Sequence, residues 1–376
     1  MPSLVDEAGH LLATQWGDPV RLRIHDVIRS WGRHTLLRCR VKQAPRLSPG
    51  FVVVKTVNQP EQQMLPERAG LELLSAIPQT RELIPEMYAA ANTMLVLEDL
   101  GNAPMLSQLL RARAAWAEEG LLESMRGLAT VHARTRGRYA EYAHLHAKYG
   151  STIPGNDPTG NPLNVADLSA VLARALAAVG LDPDDIPSDE LRYVVERMSP
   201  PADLTCLTFY DQCPSNRMMV NGRLRVVDLE MVAFRHPFLD AAYPLLGYLK
   251  CMDGLRLPDQ LERQLMSTYR AGVADAYPEL VDDGRFADEM TSACAVSVLW
   301  HLTKTSAAVD SDGVVGHFLI RRRQRLLAVL DAFLATATAY GALPRLTDVC
   351  RRLRSRLGDR WEGLVEPLPT FSIWRG

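Results

Sequence analysis

The chain has 376 residues, of which 47% are apolar, enough for two domains that each bury a core of their own. Lys and Arg total 42 against 44 Asp and Glu, so neither a global basic field for nucleic acid nor a long acidic tail is present. The six cysteines (Cys39, Cys206, Cys213, Cys251, Cys294, Cys350) lie far apart, which excludes a zinc knuckle or a paired redox motif and favours a reducing cytoplasm.

The segment from Met1 to Glu7 lacks a basic stretch followed by an apolar one, so no secretory signal is expected. From Val20 to Val57 the pattern is strand-like: Val20, Leu22 and Ile24 alternate, Thr35 to Val41 follow, then the β-branched run Val52-Val53-Val54. Pro66 opens a helix at its first position, continued by Ala69, Leu71, Leu73 and Leu74 and closed by the loop from Pro78 to Pro85. Two further strands, Glu86 to Ala91 and Thr93 to Leu97, complete a small antiparallel sheet. Beyond about Met105 the chain reads as helical, over 121–136, 165–179, 258–277, 285–308 and 318–340, with a loop from Tyr149 to Pro162. His301, Lys304 and Asp331 interrupt its longest apolar stretches, so buried helices are expected and no membrane span.

One strand-rich island, from Leu204 to Asp228, breaks the helical half. Asp211 ends an apolar run, Asn216 follows five residues later past a proline, and Asp228 ends a second apolar run after a turn at Asn221-Gly222. Two hairpin strands are expected to deliver these groups from their ends. A carboxylate and an amide oxygen facing one cavity with a second carboxylate form a hard oxygen set suited to Mg²⁺. Phosphoryl transfer needs little more: a carboxylate to orient and deprotonate the attacking hydroxyl, oxygens for the metal, and a cation on the nucleotide phosphates. Taken singly, Asp211 and Asn216 read as a turn that caps its own backbone, and Asp228 as an ordinary strand end.

With this order and spacing the chain resembles the aminoglycoside phosphotransferase and choline kinase group of small-molecule kinases, relatives of the protein kinases. Asp211, Asn216 and Asp228 match the family's Asp, its Asn five residues on, and the second Asp closing a hairpin; Asp228-Leu229-Glu230 resembles its Asp-any-Glu ending. His236 to Tyr243 resembles the segment in which a Pro and an Asp open the next helix, which makes Asp240 structural. The resemblance implies an α+β fold of two lobes: an antiparallel sheet with one helix over 1–100, and a mainly helical lobe over 101–376 carrying the catalytic hairpins. It implies ATP and Mg²⁺ as cofactors, Asp211 as base, and Asn216 with Asp228 as metal ligands. Lys55, closing the run Phe51 to Val54, would reach the phosphates and pair with Glu67, with Glu61 as the alternative. The segment Thr93 to Gly101 resembles the hinge, where the backbone around Glu98 and Leu100 would meet adenine. Leu128 to Ala133 resembles the following helix, with His132 packing there. Glu230 would assist a second metal or stabilise its loop.

The sequence departs from the pattern at two places. Phe209 stands where the family has a supporting His, and the turn Ser30-Trp31-Gly32-Arg33-His34-Thr35 holds a single glycine for the phosphates. Hence a kinase-fold protein that binds nucleotide or ligand with little turnover stands as the alternative, and a helical interaction protein as a third. The acceptor would be a hydroxylated small molecule: an aminoglycoside or other antibiotic, an amino alcohol, or a sugar. No nucleic acid, membrane or protein partner is implied. His144 and His146 read as surface residues, and Arg321 to Arg325 and Arg351 to Arg356 as solvated helix faces. The acidic group Asp182, Asp184, Asp185, Asp189 and Glu190 reads as a solvated loop or as an attractor of a polyamine-like substrate.

Overall fold

The computed structural model describes residues 2–43, 50–59, 64–114, 116–150, 158–159, 163–199, 201, 204–249, 256–315 and 320–368. In chain order, helix α1 (Pro2–Trp16) precedes strands β1 (Arg21–Arg29), β2 (His34–Gln43) and β3 (Phe51–Val57), helices α2 (Leu65–Ser75) and α3 (Pro78–Arg81), and strands β4 (Met87–Ala90) and β5 (Met94–Glu98). Then come α4 (Leu106–Arg111), α5 (Ala117–Thr135), α6 (Tyr139–Gly150), α7 (Val165–Ala177) and α8 (Ser188–Met198). The island holds β6 (Cys206–Thr208), a 3₁₀ turn Pro214–Asn216, β7 (Arg217–Val220), β8 (Arg223–Val226) and β9 (Ala233–Arg235). The chain ends with α9 (Phe238–Ala241), α10 (Asp259–Val273), α11 (Asp283–Leu302), α12 (Thr305–Asp310), β10 (Val314–Val315), β11 (Ile320–Arg321), α13 (Arg322–Tyr340) and α14 (Pro344–Arg360).

Two compact units result. The first comprises Met1–Pro104, Ala140–Pro158 and Met218–Val232. Its sheet has the order β1-β2-β3-β5-β4, with every neighbouring pair antiparallel. Strand alternation decides which side chains meet. Val52 and Val54 of β3, with Leu37, Cys39 and Val41 of β2, face the core that α1 covers with Val5, Ala8 and Leu12. Lys55, one residue out of that phase, is sent to the other face. The first unit thus reaches past residue 100, because the chain returns to it twice. Tyr149 of α6 bonds Glu72 of α2 and lies under the guanidinium of Arg68 at 3.6 Å. The β7–β8 hairpin, turned by Asn221 and Gly222 at φ 51° and 77°, is tied in by Val226 N–H to Leu83 O at 2.6 Å and by the Arg225–Glu98 ion pair. Glu61 and most of the expected loop 149–162 lie outside the described residues.

The second unit comprises Met105–Tyr139, Thr159–Arg217 and Ala233–Gly376 and is mainly helical. Asn164 caps α7 by accepting from Asp167 N–H, and Asp282 caps α11 by accepting from Arg285 N–H. The expected helix over 285–308 divides between α11 and α12. Strand β6 pairs with β9, so the run leading to Asp211 is not part of the hairpin that leads to Asp228, as the sequence had suggested. The acidic group around the start of α8 is matched from within the unit: Asp185 pairs with Arg352 and Asp189 with Arg345, both of α14. His146 of α6 is buried against Tyr142, which corrects the surface expectation for that residue. No described helix is long and apolar enough to cross a membrane.

Helices α5 and α10 cross at Gly272, where an added Cβ would stand 2.7 Å from Ala129 Cβ. Gly272→Ala is therefore expected to destabilise the chain by about 1–2 kcal/mol, because overpacking outweighs the helix-propensity gain of alanine. Urea unfolding checks this, and Ala129→Gly in the same chain should recover part of the loss.

Candidate functional site

In the first unit, Lys55 is buried at the end of β3, and its ammonium donates to Glu67 Oε2 at 2.6 Å and to Asp228 Oδ1 at 2.6 Å. Pro66 starts α2 so that Glu67 sits in its first turn, facing the sheet. Burial disfavours the ammonium, but the two carboxylates more than offset this and hold the Lys55 pKa above the ordinary lysine value. Burial likewise opposes the Asp228 carboxylate, and Lys55 outweighs it, so its pKa is lowered. Asp228 has φ 63°, the left-handed region that Asp tolerates better than most residues, which turns its side chain back toward the sheet after β8.

Two residues beyond Asp228, Glu230 bonds Arg33 through Oε1, and its Oε2 lies 3.1 Å from His34 Nδ1. His34 begins β2 and is only 5% exposed. Burial and then the Lys55 charge push its pKa down to about 4, while burial and the Asp228 charge push Glu230 up to about 7. His34, Asp228 and Glu230 each offer a ligand atom, all within 4.8 Å of one another. Neither His34 nor the pairing of Glu230 with Arg33 of the β1–β2 turn was foreseen. The only sequence signal was an imidazole at the start of β2.

At the end of β5, Glu98 Oε2 accepts from Glu86 N–H at 3.1 Å and pairs with Arg225, so its side chain is structural. Asp99 pairs with Arg38 at 2.7 Å. The backbone N–H of Leu100 has no hydrogen-bond partner among the described residues.

In the second unit, Asp211 and Asn216 share one short loop. Cys213 N–H donates to Asp211 Oδ1 at 3.1 Å, and the turn closes through Asn216 N–H to Cys213 O at 2.8 Å. Beneath the loop lies the fully buried Asp240. It accepts from Phe209 N–H at 2.6 Å, Tyr210 N–H at 2.8 Å and Gln212 Nε2 at 2.9 Å, and stands 3.5 Å from His132 Nε2. These contacts keep its pKa below the usual carboxylate value despite burial. His132 Nδ1 is engaged by Tyr269 OH at 2.8 Å, so His132 is a packed support, as expected. Tyr210, at φ 58°, is held in the left-handed region just before Asp211. Arg217, also buried, bonds Gln212 and the Asn216 carbonyl and lies over the Phe209 ring at 5.1 Å. Sequence reasoning missed Gln212 and Arg217, since an arginine opening a strand reads as solvated.

No protein-family model matches the chain, and no curated protein matches it. Solved structures do. A candidate fructosamine-3-kinase from Thermobifida fusca aligns at 17% identity over 88% of this chain and 99% of that one, with a TM-score of 0.50. Choline kinase from Cryptosporidium parvum aligns at 13% identity over 88% and 93%, with a TM-score of 0.49. A candidate aminoglycoside phosphotransferase from Ralstonia eutropha aligns at 14% identity over 96% and 97%, with a TM-score of 0.46. With the first of these the likeness is one of fold: the chain has the protein-kinase-like α+β fold, with a small antiparallel-sheet unit and a larger, mainly helical one.

Two outcomes follow from the geometry. Asp240→Asn places an amide against three donors and should cost about 3 kcal/mol or more in urea unfolding, whereas a loss under ~1 kcal/mol would mean that Asp240 does not hold the loop. The His34 ring should titrate near 4 by NMR of histidine-labelled protein instead of at its ordinary 6.5. With the folded value depressed, the contribution of His34 to stability is complete above pH 6.5 and is lost as pH falls toward 4.

Proposed function

We propose that the chain transfers the γ-phosphoryl group of ATP to a hydroxyl of a small molecule. The observation that carries this reading is Lys55 held between Glu67 and Asp228, because the phosphate-binding lysine of a kinase acts only when its helix glutamate and the metal-binding aspartate are both in place. Asp228 and Asn216 would hold Mg²⁺. The fit is chemical: Lys55 occupies one oxygen of Asp228, and the Asn216 side-chain amide makes no hydrogen bond among the described residues. Bound magnesium would neutralise charge on the phosphate oxygens.

Lys55 then serves the α and β phosphates, and the hinge backbone at Leu100 serves adenine. Asp211 orients the acceptor hydroxyl and takes its proton as that oxygen forms a bond to the γ-phosphorus and the bond to the β–γ bridging oxygen breaks. Phe209 does not count against this. The loop is held by backbone N–H groups on Asp240, so the side chain at 209 is not what orders it. The acceptor classes that fit are an aminoglycoside or other antibiotic, an amino alcohol, or a sugar, and the fructosamine named for the Thermobifida protein belongs among the sugar derivatives.

ATP consumption with Mg²⁺ across a panel of hydroxylated acceptors tests the proposal. Asp211→Ala should lower acceptor-dependent turnover by about 10²-fold or more while nucleotide binding persists. Magnesium-dependent ATP binding without turnover on any acceptor would instead mark a nucleotide-binding protein.

A further inference from the structure

The three groups His34, Asp228 and Glu230 converge in the first unit, and their partners leave specific atoms available. Lys55 takes Asp228 Oδ1 and Arg33 takes Glu230 Oε1, so each carboxylate gives one oxygen to a fixed cation and keeps the other. His34 is 5% exposed, and its Nδ1, although 3.1 Å from Glu230 Oε2, makes no hydrogen bond of acceptable geometry. An orphaned ring nitrogen buried beside two half-engaged carboxylates is costly unless something else uses it. One pair has the spacing of a bound cation: His34 Nδ1 and Glu230 Oε2 lie 3.1 Å apart, where adjacent ligands of an octahedral ion with bonds near 2.1 Å lie about 3 Å apart, and all three ligand atoms fall within 4.8 Å of one another. Buried Lys55 also holds the Asp228 carboxylate in orientation.

We propose that His34, Asp228 and Glu230 form a three-ligand divalent-cation site whose imidazole shifts its preference from Mg²⁺ toward transition metals such as Mn²⁺ and Co²⁺. Magnesium favours oxygen ligands, whereas an imidazole raises affinity along the transition-metal series. The inference rests on the proposed function only in taking Asp228 as a metal ligand; it adds His34, the first residue of β2, to the metal shell.

The test uses the full chain with Mn²⁺ as probe, read by electron paramagnetic resonance. Pulsed spectra of the Mn²⁺-loaded protein should show a nitrogen modulation that changes from the ¹⁴N to the ¹⁵N pattern on ¹⁵N-histidine labelling and vanishes in His34→Gln. The same substitution should weaken Mn²⁺ by roughly tenfold or more while Mg²⁺, measured by competition, moves by less than about threefold. Mn²⁺ bound without a histidine nitrogen, Mn²⁺ not bound at all, or equal losses for both ions would overturn the inference. Labelling of the natural chain needs no variant, so a poorly folding His34→Gln does not remove the test. Histidine-ligated Mn²⁺ in a chain that turns over no acceptor would sink the kinase reading and leave this one standing, and acceptor-dependent turnover without the nitrogen signal would do the reverse.

Discussion

The first unit depends on one buried ammonium. Lys55 is 3% exposed, in a position where an uncompensated charge would be too costly to keep, and it is there only because two carboxylates meet it from separate stretches of chain. One comes from the first turn of α2 and the other from the end of β8. The ion triad therefore sets where α2 lies on the sheet and where the β7–β8 hairpin returns to it. Removing any member would leave a buried charge without its partner, so position and charge state are coupled across three elements that are distant in sequence. The same pairing keeps the ammonium charged although it is dry.

Asp240 plays the corresponding part in the second unit, with the sign of charge reversed. A carboxylate with no exposure collects two successive backbone N–H groups and an amide at the foot of the Asp211 loop, and it thereby sustains the left-handed backbone at Tyr210. Tyr243 adds a further brace, its hydroxyl donating to the Tyr210 carbonyl. Strain of this kind persists only where the surroundings over-determine it, and here the surroundings are hydrogen bonds to main chain.

Much of this was legible in the sequence, because its signals are local. The alternation in β1 to β3, the proline at the head of α2, and the Asn-Gly turn each state a conformation within a few residues. The order Asp211, Asn216, Asp228 was equally readable as spacing. Less legible was what depends on pairing at a distance. Cys206 to Thr208 reads as a strand, but nothing in it says that the partner is Ala233 to Arg235 and not the adjacent hairpin. Residues 1–100 hold α1, α2 and α3 and not the one helix expected, and Val5, Ala8 and Leu12 of α1 carry the helical period that signals it. His34, His146 and Arg217 show the general limit: propensity places polar side chains outside, and only tertiary partners can bring them in.

Phe209 illustrates how a loop can be supported through its main chain and not through a side chain. The main-chain N–H of residue 209 is what Asp240 holds, and any residue supplies that donor. The side chain is then free to change, provided its neighbour can pack against it. Arg217 does so: its guanidinium lies over the ring while its N–H groups reach Gln212 and the carbonyl of Asn216. A planar cation can stack and donate in its plane at once, which a lysine could not. The loop between Asp211 and Asn216 is thus clamped from below by a carboxylate and from the side by a guanidinium, and an apolar ring at 209 becomes part of the clamp instead of a gap in it.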